Sequence, residues 1–177
     1  YIERENPFGE DLRNSKKSIY QLSDPFLCAY YKYVVPNRSL IGLGRKTMVV
    51  DLFKQSFNEF VGKYWERLCR NVVSGNELFG VVWNKASRWW GNVKNGSSSK
   101  MIEIDVVAES FDKKKILIGE CKWTEKENAS RLFYELENKA RMLPFVKDKE
   151  IVYVLFLKYQ PDDICDNIVI PEKILTM

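Results

Sequence analysis

The chain has 177 residues, 45% of them hydrophobic and 14% aromatic, which is enough for one domain with a real core and a small appendage. It contains no histidine, so serine–histidine and cysteine–histidine nucleophilic mechanisms and any mixed Cys/His metal site are excluded. A formal net charge of +4 permits a polyanionic partner without demonstrating one. Cys28, Cys69, Cys121 and Cys165 are widely spaced with no C-x-x-C pair, so zinc-finger spacing is absent. The first three sit among apolar neighbours and read as buried small hydrophobes in a reduced, cytoplasmic setting. No apolar run approaches the roughly 20 residues of a membrane span, and no signal peptide is visible. A start at Tyr1 rather than Met reads as a piece of a longer chain.

In chain order, Tyr1 to Ser18 is polar and reads as irregular, with a turn signal at Pro7-Phe8-Gly9. Ser23-Asp24-Pro25 starts a helix, with Ser23 or Asp24 as cap and Pro25 at the first helical position. That helix, Phe26 to Val34, carries a stripe of Phe26, Leu27, Tyr30, Tyr31 and Val34, a packing surface by its spacing. Residues 1–44 are thus read as a helical and linker segment, with the main domain at 45–177. Gly42-Leu43-Gly44-Arg45-Lys46-Thr47 lacks the spacing of a phosphate-binding loop, and no strand feeds it.

From Lys46 to Val73 the apolar positions follow a helical period, predicting one long helix or two in succession. Glu66 lies at the edge of that stripe, and Gly62 four residues earlier leaves space over its side chain. Leu78 to Trp83 reads as a short strand. The segment from Asn84 to Lys100, with Trp89-Trp90 and Gly96-Ser97-Ser98-Ser99, reads as a connection ending in a flexible turn. Ile102 to Val107 and Lys115 to Trp123 are predicted strands joined by a hairpin-sized polar connection at Ser110 to Lys114. Thr124 to Leu143 returns to helical period with Lys126, Arg131, Lys139 and Arg141 outward. Glu150 to Lys158 is a strand buried on both faces, and Ile168-Val169-Ile170 offers an edge strand.

Side chains two apart on a strand share a face. Glu120 and Lys122 therefore point one way, and Leu117, Gly119, Cys121 and Trp123 the other. Ile102, Ile104 and Val106 point to the face opposite Asp105. A register that sets Asp105 beside Glu120 brings two carboxylates and one ammonium together, a crowding that a divalent cation would relieve.

Asp105-x(14)-Glu120-Cys121-Lys122 on neighbouring strands resembles the PD-(D/E)XK phosphodiesterase superfamily. With Trp89-Trp90, Glu103 to Ala108, Ile118 to Trp123, and Tyr20 to Leu27 followed by Tyr30-Tyr31, the chain resembles more narrowly an uncharacterised domain. That domain is the C-terminal one of archaeal-type ATPases, found also in Bacteroidetes, and the likeness runs from Ser18 to Leu157. The resemblance implies a restriction-endonuclease-like α/β fold: an αβββαβ core with a mixed central sheet flanked by helices, plus a helical N-terminal appendage. Periodicity alone supports only α/β with a mixed sheet. The resemblance further implies that residues 1–44 follow a truncated winged helix and that winged-helix and ATPase domains of the same chain are partners. It places Asp105, Glu120 and Lys122 in catalysis, with Glu66 on the first helix completing a metal site.

Phosphodiester hydrolysis needs an activated water and relief for charge on the phosphate, which hard cations supply through oxygen ligands. Asp105, Glu120, Glu66 and the backbone carbonyl of Cys121 would hold Mg2+ or Mn2+, and Lys122 would orient or deprotonate water and offset charge. Lys85, Arg88, Lys94, Lys100, Lys126 and Arg131 form a possible DNA approach surface, and Gly96 to Lys100 a possible flap over substrate. Three expectations follow: a metal-dependent nuclease, a non-catalytic nucleic-acid- or protein-binding module of an ATPase, or a structural domain in which Lys122 makes only an ion pair.

Overall fold

The computed structural model describes residues 1–11, 13, 15–95, 98–163 and 166–176. Strand β1 (Ile2–Glu5) pairs antiparallel with β2 (Ile19–Leu22), where the sequence reads as irregular. The pattern is hard to see because Ile-Glu-Arg-Glu is mostly exposed and alternates no core face. Helix α1 (Pro25–Ala29) starts as expected, the Asp24 side chain accepting the Leu27 amide at 3.0 Å. The chain then winds as a π-turn over Tyr30–Val34, a 3-10 turn over Val35–Asn37 and a short helix α2 (Arg38–Gly42), instead of an extended linker. A π-turn carries extra residues per turn and so rotates the stripe. Tyr33 becomes the buried ring of this segment, against Phe53 and Phe60 at 5.1 and 5.9 Å, while Phe26 and Tyr31 stay exposed.

Lys46–Val73 is a single helix, α3, which buries Trp65, Cys69 and Val73 at four-residue spacing. A Cβ added at Gly62 would sit 3.7 Å from Trp123 Cβ, so the room that glycine leaves lies over Trp123 rather than over Glu66. The predicted strand 78–83 is in fact a tight hairpin, β3 (Glu77–Leu78) and β4 (Val81–Val82), turned by Phe79 and Gly80, both with positive φ.

The central sheet runs β5 (Ser87–Asn95), β6 (Ser98–Glu109), β7 (Lys115–Lys122), β8 (Glu150–Leu157) and β9 (Ile168–Val169). The first two pairings are antiparallel and the last two parallel, giving a mixed five-stranded sheet. Trp89 and Trp90 belong to β5, not to a connection, and Gly96 and Ser97 of the expected flexible turn lie outside the described residues, as does Cys165. Helix α4 (Ala129–Ala140) starts later than periodicity suggests, because Asn128 caps it through the Arg131 amide. A last short helix, α5, spans Pro171–Ile174.

Two apolar layers cover the sheet. On one face Ile102, Ile104, Val107, Ile116 and Ile118 pack with Leu132, Leu136 and Ala140 of α4. On the other, Val106, Ala108, Leu117, Cys121 and Phe156 pack with Trp65, Cys69 and Val73 of α3. Ile104 and Val106 therefore face opposite ways, against strict alternation. The β5–β6 register explains it: Ser87 opposes Val107 while Trp89 opposes Ile104, so β6 carries an extra residue at a β-bulge around Asp105. Gly119 lies in the tightest part of the second layer. A Cβ there would stand 2.9 Å from Phe156 Cε2 and 3.1 Å from Val106 Cβ. Gly119→Ala is expected to destabilise by about 1–3 kcal/mol, read as a lower urea midpoint at unchanged m-value.

Candidate functional site at the bulge and the ends of the parallel strands

The antiparallel β6–β7 pairing is regular from Glu109↔Ile116 to Val106↔Gly119. One residue further, where the bulge begins, the Asp105 carboxylate takes over, Oδ2 accepting the Cys121 amide at 2.8 Å. That bond fixes Asp105 beside Glu120, the neighbour expected from hairpin register. Glu120, though 8% exposed, receives two ammonium groups: Lys122 Nζ at 2.7 Å from Oε1 and Lys139 Nζ at 2.7 Å from Oε2. Lys139 comes from α4 and was expected to point outward. It lies seven residues after Leu132, two turns along the same stripe, so its stem runs over the sheet and its charge reaches the site. Heptad spacing from a core leucine was the signal available for it.

The two carboxylates have opposite electrostatics. Burial and then the charge of Glu120 push the Asp105 carboxyl up to about 6, against the Cys121 amide and the two lysines. Burial would raise Glu120 too, but Lys139 and Lys122 outweigh it and hold that carboxyl below its ordinary value. Lys122 is likewise held above its ordinary value, because the bond to Glu120 overcomes burial. It is an ammonium at neutral pH. Its side chain is 35% exposed, so the site opens to solvent on that side.

Glu66 stands on the α3 side, its Oε2 3.8 Å from Arg70 Nη1. Burial, followed by the charge of Asp105, pushes it up to about 7, with Arg70 and Arg88 opposing. Sequence reasoning passed over Arg70 altogether. Its Nη1 donates to the Asp105 carbonyl at 2.9 Å, and its Nη2 lies 3.7 Å from Glu5 Oε1. A single arginine set between Cys69 and Val72 on a helix carries no pattern of its own. A cleft of about 610 Å³ opens beside this group, lined by Glu66, Arg67, Arg70, Arg88, Glu103 and Tyr64 among others.

Among the described residues no three Asp, Glu, Cys or His side chains stand close enough together to hold one metal ion. The three-carboxylate set of Asp105, Glu120 and Glu66 is therefore not assembled. In kind, the donors fit Mg2+ or Mn2+: Asp105 and Glu120 offer only oxygens, and a hard cation would offset the burial and the neighbouring Glu120 charge that raise Asp105. Against it, Glu120 already has both oxygens on ammonium groups.

The residues expected to approach DNA differ in exposure and in the partners they already have. Lys94 and Lys100 are exposed on the β5–β6 hairpin, and Lys126 is exposed in the loop before α4. Arg131 is engaged with Glu127 and Glu135 at 3.8 Å each. Arg88 is not free either, since it bridges Glu103 and Glu5 and lies over the Trp90 ring. Lys85 lines a polar cleft with Arg67, Arg70 and Asn71. Among the described residues no helix is long and apolar enough to cross a membrane.

Glu120→Ala leaves two ammonium groups facing each other. Stripping one partner from a buried pair typically costs about 3–5 kcal/mol, but these lysines are a third exposed, so about 2 kcal/mol is expected by chemical denaturation.

A family model for archaeal and bacterial proteins of unknown function matches residues 30–132, which include Glu66, Asp105, Glu120 and Lys122. An uncharacterized protein of Methanocaldococcus jannaschii, MJECL04, is 26% identical over 148 residues, 81% of this chain. The match spans 31% of that relative's length. No solved structure matches the chain.

Proposed function

For a chain that belongs to the DUF234 family of archaeal and bacterial proteins of unknown function, we propose a metal-dependent phosphodiesterase activity on nucleic acid, with a restriction-endonuclease-like arrangement of the α/β core. One observation carries the reading: Asp105 and the Glu120–Lys122 pair converge at the bulge, with Lys122 open to solvent. Mg2+ or Mn2+, when bound, supplies the charge relief and the acidified water that the reaction needs. Asp105, Glu120 and the Cys121 carbonyl would hold it. Lys122 keeps its proton and donates to a phosphate oxygen as negative charge builds there. It does not serve as the base. Glu66, whose carboxyl burial and the Asp105 charge push up to about 7, would be the group to accept a proton from water.

The test is cleavage of single- and double-stranded DNA and RNA with Mg2+, with Mn2+ and with chelator, alongside the melting temperature in each. Metal-dependent cleavage and a metal-dependent rise in melting temperature support the reading. Neither effect on any substrate overturns it. The second reading, a non-catalytic binding module of a larger ATPase, is favoured by the double engagement of Glu120, which balances the site's charge without a cation. Binding without cutting, weakening steeply with salt, would establish it.

A further inference from the structure

A β-bulge leaves one residue of the longer strand without a ladder partner, and the backbone there needs another anchor. At the β6 bulge that anchor is a side chain. Arg70 reaches from α3 to the Asp105 carbonyl at 2.9 Å, and the same Nη1 lies 3.8 Å from Glu66. Its other terminal nitrogen lies 3.7 Å from Glu5 on the N-terminal strand, and the side chain is only 11% exposed. The Asp105 peptide is thus held on its carbonyl side by Arg70, while its carboxylate is spent on the Cys121 amide. Rotation about the Asp105 backbone would move both together.

We infer that Arg70 is the positioning residue of the site: its grip on the bulge carbonyl aims the Asp105 carboxylate across β7, and it sets Glu66 on the other side of that carboxylate. A planar guanidinium suits this because two nitrogens of one rigid fork reach the Asp105 carbonyl and the Glu5 carboxylate at once, whereas an ammonium offers a single nitrogen. Arg70 touches neither substrate nor cation and acts only through Asp105 and Glu66. The metal-binding part of the inference rests on the phosphodiesterase reading, whereas the backbone part stands without it.

The Cys121 amide reports the aim of Asp105 directly, because Asp105 is its acceptor. The experiment is residue-resolved amide hydrogen exchange on the whole chain and on Arg70→Gln and Arg70→Lys, with Mn2+ titrations followed by electron paramagnetic resonance. In Arg70→Gln the Cys121 amide should exchange about tenfold faster relative to the other amides of β7. Mn2+ should bind about 10–100-fold more weakly, the usual effect of losing a group that orients a ligand. Arg70→Lys should lie between, and it carries the measurement alone if the glutamine variant fails to fold. Wild-type protection of Cys121 in either folded variant overturns the inference, as does equal acceleration along all of β7, which would mark general loosening. Selective exposure of Cys121 in a protein that binds no Mn2+ keeps the positioning role and removes the phosphodiesterase reading. Weakened Mn2+ binding with Cys121 unmoved does the reverse.

Discussion

Lys122→Met should lower Mn2+-supported cleavage by about 10²–10³-fold, the effect of deleting one donor to a developing oxyanion. The substitution keeps an unbranched apolar stem and removes the ammonium with its charge and its donors. Folding should survive, because the Lys122 head is a third exposed and Lys139 still neutralises Glu120. The distinguishing measurement is the pH–rate profile. A lysine held above its ordinary value by Glu120 cannot be a base at neutral pH, so the wild-type profile should show no limb that Lys122→Met abolishes. Asp105→Ala should be at least as damaging, since it removes a cation ligand and the acceptor of the Cys121 amide together. Undiminished cleavage by folded Lys122→Met would assign any activity to another part of the molecule.

Asp105→Asn should stabilise the protein above pH 6 in the presence of chelator. In the folded chain Asp105 keeps its proton up to about pH 6, whereas an unfolded aspartate releases it near 3.8. Between those values the folded state binds more protons, so this group's contribution is full below pH 3.8 and is lost as pH rises through 6. Two pKa units correspond to about 3 kcal/mol at most. An asparagine carbonyl still accepts the Cys121 amide, so the hydrogen bond survives while the charge beside Glu120 goes. Glu66, also raised by burial, adds a slope of the same sign extending to about pH 7. Glu120 and Asp163, held low, slope the other way, so the quantity to measure is the difference between wild type and variant. Urea titrations from pH 4 to 8 should show that difference near zero at the acid end, growing up to about pH 6 and level above it. A constant difference, or Asp105→Asn being the less stable at pH 8, would refute the crowding.

The convergence of Asp105 with Glu120 and Lys122 was legible because a short hairpin connection fixes register and strand period fixes face. What strand period could not supply was the bulge, since an inserted residue obeys neither alternation nor composition. Val106 accordingly landed on the wrong side of the sheet. β5 was missed for a related reason: at a sheet edge its polar outward residues and Gly91 resemble a connection, and only pairing with β6 makes a strand of it. The π-turn at Tyr30–Val34 displaced the aromatic stripe in the same way. Lys139 escaped because polarity was read as exposure, and Arg70 because a charged residue carries no period of its own. Both have long apolar stems that let their charged heads meet partners brought in by tertiary structure.

The two borders of the sheet differ in what they offer to a stranger's backbone. At β9 the outermost pairing is only two residues long, Pro171 follows with no hydrogen to give, and Lys173 Nζ ties up the Ile168 carbonyl at 2.6 Å. A foreign strand arriving there finds neither length nor a free row of partners. The β5 border is nine residues long; Arg88 on it is already paired with Glu5 and Glu103 and its carbonyl accepts the Phe8 amide, which leaves the exposed Lys94 as the charge along it. If copies of this chain ever zip together through the central sheet, that second rim offers the longer run of backbone, and adding salt, which screens the Lys94 charge, should hasten it.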